Sequence, residues 1–97
     1  MLVWVIYDVS VNKNRNRIAK ICKQTGLYRV QLSVFLGTIE NENELDTLVL
    51  SIQELIDPDE DKVYIFPMNK TELKQSRLLG QAFDKKLVTD EIKALFY

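Results

Sequence analysis

An α+β sandwich with element order βαββαβ is the fold class this sequence predicts. Two apolar, β-rich runs stand at residues 2–9 and 62–68, and a third, interrupted run lies between them at 28–39. Two stretches with helical spacing, at about 14–25 and 43–56, fill the gaps.

The first run, LVWVIYDV, is rich in Val, Ile, Trp and Tyr. Leu2, Trp4 and Ile6 alternate with Val3, Val5 and Tyr7, so both faces of the strand are apolar and both need cover. Asp8 stands where the apolar run stops. Asn12 or Asn14 is placed to cap the next helix, whose stripe is Ile18, Ala19, Ile21 and Cys22. Gly26 then follows as a left-handed helix stop.

The run YRVQLSVFL, 28–36, reads as two antiparallel strands or one strand broken near 33–35. Gly37 inside it suggests a bulge, a bend or a tight turn. Leu45, Leu48, Val49, Ile52, Leu55 and Ile56 make the second helix, with Glu42, Glu44 and Asp46 at its positive end. Asp57-Pro58 closes it. KVYIFPM, 62–68, is the fourth strand, and Pro67 near its end indicates an edge position or a strand terminus.

The tail is less regular. Arg77–Gly80 suggests a short strand, and Thr89 caps a short final helix with Ile92, Leu95 and Phe96 on its apolar side. This order is that of the ferredoxin-like sandwich, a four-stranded antiparallel sheet with both helices on one face. The other face is then bare in a monomer. A two-fold homodimer, sheet against sheet with the tail crossing to the partner's edge, is the economical cover.

The 97 residues make one domain, with a core at 1–68 and a dimer-crossing tail at 69–97. Three Gly, two Pro and no low-complexity run argue against disorder. The apolar stretch Leu2–Tyr7 is too short for a membrane span and lacks the flanks of a secretory signal, so a cytoplasmic protein is expected. With one cysteine and no histidine, the chain has no Ser-His-Asp triad and no His-ligated zinc. A metal would be held by oxygen, which points to Mg²⁺, Mn²⁺ or Ca²⁺.

Net charge is −1, but it is unevenly spread. No acid lies between Asp8 and Glu40, where Lys13, Arg15, Arg17, Lys20, Lys23 and Arg29 stand. Thirteen of the fourteen acids come from Glu40 onward. One electropositive face able to attract phosphates is expected.

Asp8 is the lone acid of the first 39 residues, and Ser10 beside it offers a hydroxyl. It can ligate a hard cation or cap a loop. Near a two-fold axis it would face its own mate, and two carboxylates repel unless they share a cation or a proton. Arg15, Arg17 and Arg29 carry guanidinium forks that suit phosphate. Arg15 and Arg17 diverge by about 200° on a helix. Tyr28 and Phe35 are candidates to stack on bases or to fill the core.

The segments IYDVS, R-N-R, GLYRVQLSVFLG and DKVYIFPM together resemble CRISPR-associated protein 2, the small dimeric subunit of CRISPR spacer acquisition, over residues 2–68. The resemblance implies a ferredoxin-like homodimer that works beside the CRISPR integrase. It also implies metal-dependent endonuclease activity on RNA or DNA, with Mg²⁺, or Mn²⁺, held by Asp8 as the catalytic ligand. Arg15, Arg17, Arg29 and Phe35 match the family's arginines and phenylalanine, and Lys13 and Lys20 extend the nucleic-acid surface. Many members carry an acid where this chain has Leu36. Some members act only as adaptors, so a non-catalytic DNA-binding bridge is the alternative. A toxin-type endoribonuclease on the same fold is a further one.

Overall fold

Both faces of the first strand are covered, but by different parts of the chain. The computed structural model describes residues 1–83. Its elements are β1 (Leu2–Asp8), α1 (Asn12–Gln24), β2 (Tyr28–Gln31), β3 (Val34–Thr38), α2 (Glu42–Gln53), β4 (Lys62–Met68) and α3 (Lys70–Gln75). The strands form one antiparallel sheet in the order β2-β3-β1-β4. This is the expected ferredoxin-like arrangement.

Val3, Val5 and Tyr7 of β1 pack with Ile18, Ala19 and Cys22 of α1 and Leu48 and Ile52 of α2. Both helices therefore lie on one face, as their stripes predict. The opposite face is not bare. Leu2, Trp4, Val30 and Leu36 cluster there under Leu73 of α3, and Phe83 packs alongside. Burying Leu73 alone contributes about 1.5–3 kcal/mol.

That cover comes from a helix the periodicity does not announce. The Asn69 side chain accepts from the Glu72 N–H at 2.8 Å, and the Glu72 carboxylate accepts from the Asn69 N–H at 2.8 Å. This reciprocal capping box starts α3. Residues 69–83 thus fold back on their own sheet, and the remainder of the tail expected to cross lies outside the described residues, as does the helix expected after Thr89. Arg77–Gly80 forms no strand, since Gly80 takes a φ of +65°, a turn conformation.

Three local expectations are also corrected. Neither Asn12 nor Asn14 caps α1; Val11 precedes the helix without a side-chain cap, and the Asn12 Oδ1 instead accepts from Arg15 Nη2 at 3.1 Å. The second helix stops at Gln53, and Leu55 and Ile56 pack on the core from the turn beyond it. Gly37 bends nothing. It lies flat in β3, where an added Cβ would stand 2.8 Å from Leu27 Cδ2 and 2.9 Å from Leu27 Cα. The register shift falls in β2, between Arg29 and Gln31.

Gly26 behaves as expected. Its φ is +92°, its N–H donates to the Lys23 carbonyl, and the Leu27 N–H donates to the Cys22 carbonyl, both at 3.0 Å. Those two bonds close α1 in a Schellman motif.

Candidate functional site

Strand alternation sends Tyr7 toward α1 and Asp8 to the other face. Asp8 is exposed, with Lys62 as its cross-strand neighbour on β4. Further along the same face Ile6 pairs with Tyr64 and Trp4 with Phe66. Tyr64 and Phe66 are 52 % and 47 % exposed, and their rings stack at 6.1 Å. Asp8 therefore stands at the end of the part of the sheet that α3 leaves uncovered. Among the described residues none hydrogen-bonds to its carboxylate, and no cluster of three or more acids or thiols surrounds it.

Ser10 is not a companion of Asp8. Its N–H and its hydroxyl both donate to Asp61 Oδ1, at 3.2 and 3.4 Å. The other Asp61 oxygen accepts from the Asp57 N–H at 2.8 Å. Those backbone donors, Asp57 first and then Ser10, hold the Asp61 carboxyl below its usual range. Asp61 is a buried structural carboxylate that the sequence reading did not single out. It fixes the segment after β1 to the segment before β4, and so fixes the surroundings of Asp8.

The basic residues collect on the α1 side. Arg15 donates to the Val9 carbonyl at 3.4 Å and to Asn12 Oδ1 at 3.1 Å, both neutral acceptors. Arg29, half-buried on β2, lies over the Phe35 ring with its guanidinium carbon 5.1 Å from the centroid. Phe35 in turn stacks on Tyr7 at 6.4 Å. The Tyr7 hydroxyl donates to the Leu32 carbonyl at 3.4 Å. Burial raises the Tyr7 pKa, and the neighbouring Arg29 charge opposes that rise.

Phe35 is 0 % exposed, so it presents no face to a base. The expectation that it contacts nucleic acid is corrected: it is a core residue that supports Arg29. Tyr28, at the exposed start of β2, keeps an open ring. Arg15 and Arg29 line one cleft of about 450 Å³ with Asn12 and Ser33. Lys20, Lys23 and Arg29 line a second of about 430 Å³. Lys13 and Arg17 are exposed and line neither. The structure thus gathers Arg15, Arg29, Lys20 and Lys23 along one edge and leaves Asp8 on the opposite face.

The sheet order, the paired helices α1 and α2 on one face and the basic edge define a ferredoxin-like α+β domain with an electropositive flank. Comparison with known proteins carries this to a family. The family profile of CRISPR associated protein Cas2 matches residues 1–76. A CRISPR-associated endoribonuclease Cas2 of Archaeoglobus fulgidus is 37 % identical over 68 residues, 70 % of this chain and 71 % of that protein. Its namesake in Korarchaeum cryptofilum is 28 % identical over 79 residues, covering 81 % and 84 % of the two chains.

Among solved structures, Streptococcus pyogenes Cas2 superposes with a TM-score of 0.64 at 28 % identity, over 82 % of this chain and all of that one. A hypothetical protein of Thermus thermophilus gives a TM-score of 0.61 at 33 % identity, over 70 % of this chain and 80 % of that one. The chain belongs to the Cas2 family, as the resemblance of its motifs implies. Leu36 is fully buried beneath α3. Among the described residues no helix is long and apolar enough to cross a membrane.

Proposed function

We propose that this chain is a homodimeric, metal-dependent nuclease of CRISPR spacer acquisition that cuts phosphodiester bonds of RNA or DNA beside the CRISPR integrase. The observation that carries the reading is Asp8. Its carboxylate is exposed, meets no partner among the described residues and adjoins the exposed pair Tyr64 and Phe66. The names of the relatives, endoribonucleases, support the activity.

A second copy seated on Tyr64 and Phe66 would bring a second Asp8 toward the first. One or two carboxylates completed by water suit Mg²⁺ or Mn²⁺ better than Ca²⁺, which asks for six to eight oxygens. A cation held by Asp8 would supply an activated water and countercharge for the phosphoryl oxygens. Arg15, Arg17 and Arg29, on the α1 side and away from Asp8, would hold flanking phosphates of the nucleic acid rather than the one being cut. The chain has no histidine to act as a general base, which leaves proton removal to the solvent shell of Asp8.

The test is cleavage of single-stranded RNA and of duplex DNA, with Mg²⁺ and with EDTA, by wild type and Asp8→Asn. The expected result is metal-dependent cleavage that Asp8→Asn abolishes while leaving the fold and nucleic-acid binding intact. Cleavage by the variant at the wild-type rate would place the activity elsewhere.

A second reading, a non-catalytic dimeric bridge that holds DNA for the integrase, is favoured by one observation. Among the described residues no group of three or more acids or thiols gathers to hold a metal ion. Absence of cleavage by wild type under any divalent metal would select it.

A further inference from the structure

Among the described residues the strands hold one acid, Asp8, and two bases, Arg29 and Lys62. Arg29 pairs with Phe35 and stands on the helix side of the sheet. Lys62 is the register partner of Asp8, and cross-strand partners project to the same face. The strand acid and the one strand base on its face are therefore neighbours, and both are exposed. Directly opposed residues of an antiparallel pair hold their Cβ atoms about 4.5–5.5 Å apart. Even so, among the described residues the Lys62 ammonium makes no ion pair or hydrogen bond, and neither does the Asp8 carboxylate. Both groups face solvent and can meet one ligand together.

The backbone around the pair is tied down on every side. Asp8 and Lys62 form the last rung of the β1–β4 ladder, after Tyr7 and Val63. Just beyond that rung, Ser10 donates its N–H and its hydroxyl to Asp61, the residue before Lys62. Between Asp8 and Ser10, the carbonyl of buried Val9 accepts from Arg15 at 3.4 Å. The positions of Asp8 and Lys62 are thus set before a ligand arrives, and only the Lys62 side chain remains to be ordered.

A phosphodiester brought to Asp8 needs positive charge beside it. Arg15 and Arg29 line a cleft on the helix side and do not reach that face. We propose that Lys62 contacts the phosphate that is cut, its ammonium donating to a non-bridging oxygen beside Asp8. The proposal rests on the reading of Asp8 as the metal ligand of a nuclease, and adds to it a residue that no motif singles out. In the cleavage step the oxygen of a water bonds to phosphorus as the bond to the leaving sugar oxygen breaks. Solvent takes the proton of the water and supplies one to the sugar oxygen. Lys62 keeps its own protons and stabilises the negative charge that builds on the non-bridging oxygens. Lysine, a compact charge on a flexible stem, suits a contact made across an open surface.

The test compares wild type, Lys62→Gln, Lys62→Arg and Asp8→Asn on the substrate, single-stranded RNA or duplex DNA, that wild type cuts in Mg²⁺. Mn²⁺ binding is measured in parallel from the electron paramagnetic resonance of the free ion. Lys62→Gln should lower kcat about tenfold, less than the loss of a donor in a water-excluded site. It should leave KM within about twofold, because the flanking phosphates are held elsewhere. Lys62→Arg should restore most of kcat. Mn²⁺ binding should move the other way. Lys62→Gln removes a positive charge beside Asp8 and should bind Mn²⁺ several-fold more tightly than wild type. Asp8→Asn should lose both binding and cleavage. A substitution that merely loosened the strand ends would weaken the two together.

A slower Lys62→Gln that binds Mn²⁺ more tightly and is rescued by Lys62→Arg would support the contact. A Lys62→Gln rate equal to wild type would overturn it, while an inactive Asp8→Asn left the nuclease reading standing. Mn²⁺ binding that weakens along with the rate would also overturn it and make Lys62 a structural neighbour of Asp8. So would a higher KM at unchanged kcat, which would assign Lys62 to general binding. Wild type that cuts neither substrate would remove the nuclease reading itself and the role of Lys62 with it.

Discussion

Asp61 accepts two hydrogen bonds from Ser10, one from its backbone and one from its hydroxyl, across 51 residues of sequence. A third comes from the Asp57 N–H. Those backbone and hydroxyl donors hold the carboxyl below the usual carboxylate range, so its ionised form stabilises the fold at neutral pH. That contribution is complete above the unfolded-state pKa and is lost as pH falls through the lowered folded-state value. Asp61→Ala should lower the thermal midpoint by several degrees at pH 7, and the deficit should shrink as pH falls below about 4. A melting series from pH 7 to pH 2 on both proteins checks this; equal deficits at all pH values would contradict it.

Gly37 and Gly26 should fail differently. Gly37→Ala drives a methyl to 2.9 Å from the Leu27 backbone, which a rotamer change cannot relieve. A loss of roughly 1–3 kcal/mol is expected, as for an overpacked core. Gly26→Ala meets nothing within 4 Å but sits at a φ of +92°. Its cost should be about 1 kcal/mol, from backbone conformation alone. Urea midpoints at constant m-value measure both.

Cys22 is sealed in the core beneath α1, and burial pushes its thiol up to about 12. A thiol-specific reagent at pH 8 should therefore label the folded protein only at the rate at which it opens, and should label at once in denaturant. Rapid labelling of the native protein would show that α1 detaches from the sheet.

Tyr64 and Phe66 are the exposed aromatic pair on the face that carries Asp8. Wild type should sediment at about twice the 11.3 kDa chain mass, and Phe66→Glu should sediment as a monomer with an unchanged far-ultraviolet spectrum. A monomeric wild type at all concentrations would remove the paired-Asp8 arrangement.

The βαββαβ order, the two helical stripes and the lone Asp8 after an apolar strand are legible in the sequence because each rests on local periodicity or on spacing within one element. The acid-free window from Asp8 to Glu40 likewise predicts a basic flank. The capping box Asn69-x-x-Glu72 was equally present as a local signal, though six residues of helix carry too short a stripe to stand out. What tertiary structure alone decided are the relations between distant residues. Asp61 reaches Ser10 only because β1 and β4 are neighbours in the sheet. Gly37 is required by Leu27 rather than by its own backbone, because α1 returns the chain to that point against β3. Phe35 reads as a base-stacking aromatic in one dimension and is a buried support for Arg29 in three. Strand alternation then separates Tyr7 from Asp8 and sets the guanidinium cluster on one face and the carboxylate on the other. A sequence gives residue types and their local period; which side chains share a cleft depends on sheet order and register, which arise from packing across the whole chain.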